Sequence, residues 1–252
     1  MGTVTKHLPQ FRFFRAEEVF TALGDQSQLD LLSLEGDLGK FSDCIIIICE
    51  SESAFAELGA FALNDELVKQ LLIVNNQDFK SSTSFITGGP IARADKLSKF
   101  KPAVYTNFEA ITLSIPDVVV RLSQIPHLRS YSMNIGGDGF LNITNKERLL
   151  LISDIVSLLG PLTKSELIEV IKASTGITKS IPLDTELALA SSLDLISKTS
   201  RLQGPTFYFH SLKEKSHFID YQGIERKILR SQIMRNYIKT DHNRIKALIE
   251  AI

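Results

Sequence analysis

The run Cys44-Ile45-Ile46-Ile47-Ile48-Cys49, continued by Glu50-Ser51-Glu52-Ser53-Ala54-Phe55-Ala56-Glu57-Leu58-Gly59-Ala60-Phe61, decides the fold. Its first six residues are apolar at every position. A strand apolar on both faces is one covered on both sides, as in a parallel sheet flanked by helices. Ala54 to Phe61 then reads as a helix. Leu71-Leu72-Ile73-Val74 is a second buried strand and Ala103-Val104-Tyr105 a third. Upstream, Phe11 to Phe14 reads as a short strand, leading into a helical pattern through Val19, Phe20 and Leu23 and on to Leu29, Leu32 and Leu34. Strands alternating with helices imply an α/β fold with an open parallel sheet and right-handed crossovers.

The 252 residues carry 28 basic and 29 acidic side chains, two Cys, no Trp and 44% hydrophobic residues, enough apolar surface for a core in each of two domains. The net charge of -1 hides a division. Residues 1–140 hold 12 basic and 17 acidic side chains, and 141–252 hold 16 basic and 12 acidic, so the halves stand at -5 and +4. Between them, Met133-Asn134-Ile135-Gly136-Gly137-Asp138-Gly139 reads as a linker. The expected domains are 1–132 and 140–252. The run from Cys44 to Cys49 is far short of the roughly 20 residues that span a bilayer, and no basic-then-apolar segment opens the chain. A cytoplasmic protein is expected. Cys44 and Cys49 lie five apart in one strand, so they point to opposite faces and read as small buried hydrophobes in a reducing compartment.

In the second half, Asn145 to Leu159 has apolar residues at helical spacing. Thr163-Lys164-Ser165-Glu166 is a capping box opening a helix from Ser165 to Ala173, and Asp184 to Leu202 reads as a third helix. Thr206-Phe207-Tyr208-Phe209-His210 and His217-Phe218-Ile219-Asp220 flank the polar turn Lys213-Glu214-Lys215, a hairpin in the position of a wing. Three helices and a hairpin spell a winged helix-turn-helix, used on nucleic acid or on protein. Lys198, Arg201, Lys213 and Lys215 are the candidate phosphate contacts. A last helix, Ile224 to Ile252, carries Arg226, Lys227, Arg230, Arg235, Lys239, Arg244 and Lys246, either as a solvated face or against a nucleic acid. The histidines show no metal-ligand spacing, so no metal is expected.

The chemistry is expected beyond the carboxyl ends of the parallel strands. Ser51 and Ser53, with the N–H groups of the helix start, suit a phosphate or a ribose hydroxyl. Glu57 follows Ser53 by one helical turn on nearly the same face. A carboxylate placed there can stabilise or trap an oxocarbenium-like centre at an anomeric carbon. The same spacing also fits a capping Ser53 and a solvated Glu57.

The run from Asp43 to Phe61 resembles the nucleoside 2-deoxyribosyltransferase-like fold and, more closely, the effector proteins of retron antiphage systems, in which a stretch of the form E-S-P-G-S-F-x-E-L-G-A-F follows an apolar strand. Ala16-Glu17-Glu18-Val19-Phe20 and Leu32-Ser33-Leu34-Glu35 are similar to that family's P-E-D-L-F and L-S-L-E segments, and Ser84-Phe85-Ile86-x-x-Gly89-Pro90-Ile91 to its S-F-I-x-x-G-P-I loop. The resemblance covers roughly residues 11–125. It implies an N-glycosidase-type site for NAD, another nucleotide or a nucleoside as substrate, with no resident cofactor. Glu57 would be the nucleophile, Ser51 and Ser53 would contact sugar or phosphate, and Asp43 and Glu35 would line the pocket. The implied partners are a reverse transcriptase and its DNA–RNA product; the sequence leaves the oligomeric state open, a homo-oligomer included. Two departures stand out. Glu52-Ser53-Ala54 replaces P-G-S, and no F-L-C-G-G-like strand, with which the family's domain opens, is read ahead of Phe11. Both suit an alternative, a nucleotide-sensing or DNA-binding regulator of the same fold without catalysis.

Overall fold

A computed structural model describes residues 8, 9, 11–23, 30–126, 143–176, 182–199, 204–211, 218, 219, 221, 223 and 225–251. The chain divides into two compact units. The first comprises Met1–Phe13 and Gln28–His127, the second Phe14–Ser27 and Leu128–Ile252.

In order of sequence, the described elements open with α1 (Ala16–Leu23), α2 (Leu31–Gly39), β1 (Ile45–Ile48) and α3 (Glu52–Leu63). β2 (Leu71–Asn76), α4 (Ala92–Leu97), β3 (Val104–Thr106) and α5 (Ile115–Leu122) follow. The first unit is built on a three-stranded parallel sheet of order β1-β2-β3, with Ile45 opposite Leu71, Ile48 opposite Val74, and Val74 in turn opposite Val104. Its two faces follow from the alternation of side chains along a strand. Ile47, Cys49, Leu71 and Ile73 point to one face and pack with Ala54, Leu58, Phe61 and Ala62 of α3. Leu72, Val74 and Val104 point to the other and pack with Leu8, Val118 and Leu122. Cys44 and Cys49 fall on opposite faces, as their spacing requires, and burial pushes the Cys49 thiol up to about 11.

The central, most buried strand is β2, and β1 is at the margin of the described sheet with Ile48 37% exposed. One detail differs from the sequence reading. Phe11 to Phe14 forms no strand. Phe11 and Phe13 instead pack their rings, 6.5 Å apart, against the cluster of Leu72 and Val104, so an aromatic run that looks pleated serves as irregular apolar cover. Gly39 gives close packing where α2 ends, since a Cβ there would lie 2.7 Å from Leu67 Cδ2 and 3.1 Å from Ile45 Cδ1 and those side-chain ends would have to shift.

The second unit is mostly helical. It holds α1, α6 (Asn145–Leu159), α7 (Lys164–Thr175), α8 (Asp184–Ser192), β4 (Ile196–Lys198), β5 (Tyr208–His210), α9 (Arg226–Thr240) and α10 (His242–Ala251). Reciprocal capping boxes, Thr144 with Glu147 and Thr163 with Glu166, open α6 and α7. The third helix ends at Ser192, ten residues before its expected end. Asp194 adopts φ 55°, a left-handed conformation open to Asp, and turns the chain into β4. The antiparallel pair is therefore β4 with β5, Ile196 opposite His210 and Lys198 opposite Tyr208, one strand earlier than the hairpin read from the sequence. Leu162 bridges antiparallel to Tyr208 on the other side. Of the expected second arm, only Phe218 and Ile219 are described.

The basic run of the last helix is interrupted at Asp241, and three of its seven cations, Arg226, Arg230 and Arg244, turn inward while Lys227, Arg235, Lys239 and Lys246 stay exposed. Arg226 holds both oxygens of Asp154, 1% exposed inside α6, at 2.6 and 2.9 Å. Arg230 donates to the carbonyls of Leu158 and Gly160, Tyr237 Oη to that of Leu159 at 3.1 Å, and Arg244 to that of Pro161 at 2.7 Å. These four carbonyls end α6 or follow it, so side chains from α9 and α10 satisfy acceptors that the helix itself leaves open. Arg244 also pairs with Glu166 and Asp241 and lies 4.5 Å from the Tyr237 ring centroid. Gly160 fits this seam because a Cβ would come within 2.5 Å of the Val156 carbonyl oxygen and 2.9 Å of that of Tyr208.

Candidate functional site

The site is built where β1 gives way to α3. Cys49 N–H donates to the Val74 carbonyl at 2.9 Å, the last bond of the ladder, and Glu50 N–H turns back to the Ile48 carbonyl at 2.8 Å. Ser51 is extended (φ -135°, ψ 162°) and caps α3, its hydroxyl accepting from Ala54 N–H at 3.3 Å. The cap thus falls on Ser51 and leaves Ser53 inside the first turn. The two hydroxyls lie 3.2 Å apart and share a hydrogen bond, exposed at the carboxyl end of the sheet. A hydroxyl that accepts from the backbone keeps its proton for a second partner, so this pair can donate to a sugar or phosphate oxygen.

Helix geometry sets Glu57. Ala54, Leu58, Phe61 and Ala62 form the buried stripe of α3. Glu57, three residues after Ala54 and four before Phe61, lies on the flank of that stripe, on the side shared with Ser53. It is half-buried. The loop after β2 closes on the same helix. Ser84 Oγ accepts from Thr87 N–H at 3.2 Å and starts the π-turn Thr87–Ile91, which packs against α3, while Ile86 and Ile91 join its apolar cluster. The structure therefore brings together two of the three sequence motifs, the strand–helix run and the Ser84–Ile91 loop.

Asp43 stands at the amino end of β1, with the whole strand, about 13 Å at ~3.3 Å per residue, between it and the serines. Glu35 lies half-buried on α2, one turn before Gly39. Lys198 is exposed at the end of β4, a strand position where a helix was expected. Arg201, Lys213 and Lys215 lie outside the described residues. Two groups at the carboxyl end escaped the sequence reading. Asn75 is 2% exposed and hydrogen-bonds Tyr105, its partner in the parallel register. Burial and then Asp95 raise the Tyr105 hydroxyl above its ordinary range, against that hydrogen bond. The signal was the pair Asn75-Asn76 closing an apolar run. Among the described residues no group of three or more His, Cys, Asp or Glu side chains could hold a metal ion, and no helix is long and apolar enough to cross a membrane.

The arrangement is the carboxyl-edge site of an open α/β sheet, in a chain whose remaining part is mostly helical with a small antiparallel hairpin. The chain belongs to the STM3845 retron effector protein family, whose model matches residues 1–198. It is 36% identical over 185 residues to the "Retron Ec73 putative ribosyltransferase/DNA-binding protein" of Escherichia coli, a stretch covering 68% of this chain and 58% of that relative. It is 43% identical over 79 residues to the corresponding Ec86 protein of the same organism, covering 31% of this chain and 26% of the relative.

Proposed function

We propose that the first unit is a nucleoside deoxyribosyltransferase-like domain that cleaves the N-glycosidic bond of NAD or a related nucleotide or nucleoside. The observation that carries this reading is Glu57, set one turn behind the Ser51–Ser53 pair at the carboxyl end of β1, in a retron effector whose relative is named for ribosyl transfer. With NAD, a Glu57 carboxylate oxygen bonds to the ribose C1′ as the C1′–N bond breaks, and the bonding pair leaves with nicotinamide, which departs neutral. Water then hydrolyses the glycosyl ester, releasing the ribosyl product and a proton and restoring the carboxylate. Ser51 and Ser53 hold a sugar hydroxyl or phosphate.

The second unit fits a winged helix-turn-helix in which α6, α7 and α8 are the three helices, the β4–β5 connection is the wing and Leu162 adds the third strand. Lys198 and, by sequence, Arg201, Lys213 and Lys215 would contact phosphates. In this reading the protein is an antiphage toxin, kept silent by a reverse transcriptase and its DNA–RNA product. Nicotinamide release from NAD by the full chain tests the chemistry. Glu57→Gln is expected to slow it by roughly two or more orders of magnitude, and equal rates would remove Glu57 from the mechanism.

A further inference from the structure

In a helix-turn-helix unit that reads DNA, the second helix of the motif presents an exposed face to the major groove. Here that helix, α8, is covered over most of its circumference. Glu186, Leu187, Ala188, Leu189 and Ala190 are 3%, 2%, 7%, 0% and 0% exposed. What remains outside is a narrow strip of exposed Asp184 with half-buried Thr185, Ser191 and Ser192; it offers no cation, and the two serine hydroxyls donate back to the Leu187 and Ala188 carbonyls of the same helix. The core helix α6 and strand β4 account for one side, and α1 packs on it as well.

α1 has the form of a helical ligand. Ala16, Val19, Phe20 and Leu23 recur at i, i+3, i+4 and i+7, the anchor pattern of an amphipathic helix laid into a groove. Val19 is 0% exposed, Ala16, Phe20 and Leu23 are half-buried, and Glu17, Glu18 and Thr21 are exposed. The cover is therefore apolar inside and acidic outside. α8 itself, Asp-Thr-Glu-Leu-Ala-Leu-Ala-Ser-Ser, contains no Lys or Arg, and its two carboxylates are engaged, Asp184 by Lys164 at 2.6 Å and Glu186 by Arg148. Removing α1 would bare an apolar surface, not a phosphate-binding one. The segment that supplies α1, Phe14–Ser27, is set in the sequence between the two stretches that make the first unit.

We propose that α8 is a docking surface for an amphipathic helix rather than a reader of DNA, and that α1 is its resident ligand. Any nucleic-acid contact of this unit is then made by other elements. The inference rests on the winged-helix reading only for its contrast with DNA.

The experiment uses the full chain and its Val19→Asp variant, which places a carboxylate at the buried anchor of α1 and leaves α6, α7 and α8 unchanged. Two fluorescent probes are titrated by anisotropy: a peptide of residues 14–27 and a mixed-sequence 20-base-pair duplex. The variant is expected to bind the peptide at least ten-fold more tightly than the wild type, whose face is occupied, and a peptide carrying Val19→Asp is expected not to bind. Duplex binding is expected to agree within two-fold. Duplex binding at least ten-fold tighter in the variant would overturn the proposal and make α1 a gate over a DNA-reading helix, and so would equal peptide binding by both chains. If neither chain binds the duplex, the DNA-binding reading fails while the peptide still decides the docking claim. Should Val19→Asp not fold, Val19→Ala carries the same test, with a three-fold or greater gain for the peptide and none for the duplex.

Discussion

The two units keep their charges in opposite places. In the sheet unit both core clusters are apolar, and among the described residues its buried polar side chains, Asn75, Ser98, Thr106 and Ser114, are all uncharged. In the helical unit Asp154, Glu186 and Arg244 are buried at 1%, 3% and 7% exposure and are paired with Arg226, Arg148 and Glu166. A count of charge along the sequence treats the second half as the more basic surface. The structure uses three of its arginines to fasten α9 and α10 to the end of α6. Net charge thus says less about partners here than which charges remain outside.

The largest expected effect tests that difference. Asp154→Ala leaves the Arg226 guanidinium without its bidentate partner and should cost the second unit about 3–5 kcal/mol, the range for a broken buried pair, read as a lower urea midpoint. In the sheet unit the comparable loss should come from an apolar residue. Leu58→Ala, at 0% exposure under the sheet, is expected to cost about 2–5 kcal/mol through its cavity. If Asp154→Ala proved the milder change by a wide margin, the contrast between the units would collapse.

The contrast was only partly legible in the sequence. Continuous apolar runs mark β1 and the first four residues of β2, because burial on both faces leaves few polar positions in a strand, and Ala103-Val104-Tyr105 marks β3. They do not say which strand is central, since the four isoleucines of β1 look more buried than the asparagine-ended β2 and are less so. Helical spacing finds α1 but is silent on which core its stripe faces, and α1 packs on α8. Leu189, Leu193 and Ile196 keep a helical rhythm past Ser192 because the turn at Asp194 rests on one residue's backbone conformation. The site was clearer. The candidate residues Ser51, Ser53 and Glu57 are local to one strand–helix junction, where helical spacing sets their relative placement but not the cap, which falls on Ser51 rather than Ser53. Asn75 and Tyr105 meet only through the register of two strands.

A third prediction concerns acid. Burial raises Glu166, but hydrogen bonds from Arg244 and Thr163 outweigh it and hold the carboxyl below its ordinary value of 4.5, and backbone and side-chain hydrogen bonds from Arg244 hold Asp241 below 3.8. A carboxylate with a depressed folded-state pKa stabilises fully above its unfolded value, and the contribution is lost as pH falls through the folded one. The thermal midpoint of the second unit should therefore fall as pH drops below about 4.5, and Arg244→Ala should flatten that fall. An unchanged slope would show that the clamp does not act through these carboxylates. The smallest effect is expected at the site itself. Ser51→Ala removes the cap of α3 and should cost about 1 kcal/mol, measured by denaturant unfolding. A loss of substrate affinity beyond that seen with Ala at Thr163, a cap in the other unit, would separate a binding role from a capping one.

The central claim is that the Glu57 carboxylate attacks an anomeric carbon. Incubation with a 2′-fluoro-arabino analogue of NAD, whose electron-withdrawing fluorine slows hydrolysis of a glycosyl ester, followed by intact-mass and peptide mass spectrometry, tests it most directly. A covalent 2-fluoro-arabinosyl adduct carrying the ADP moiety is expected on the peptide containing Glu57, and none in Glu57→Gln. Analogue turnover without an adduct, or an adduct of equal yield in the Glu57→Gln chain, would contradict it.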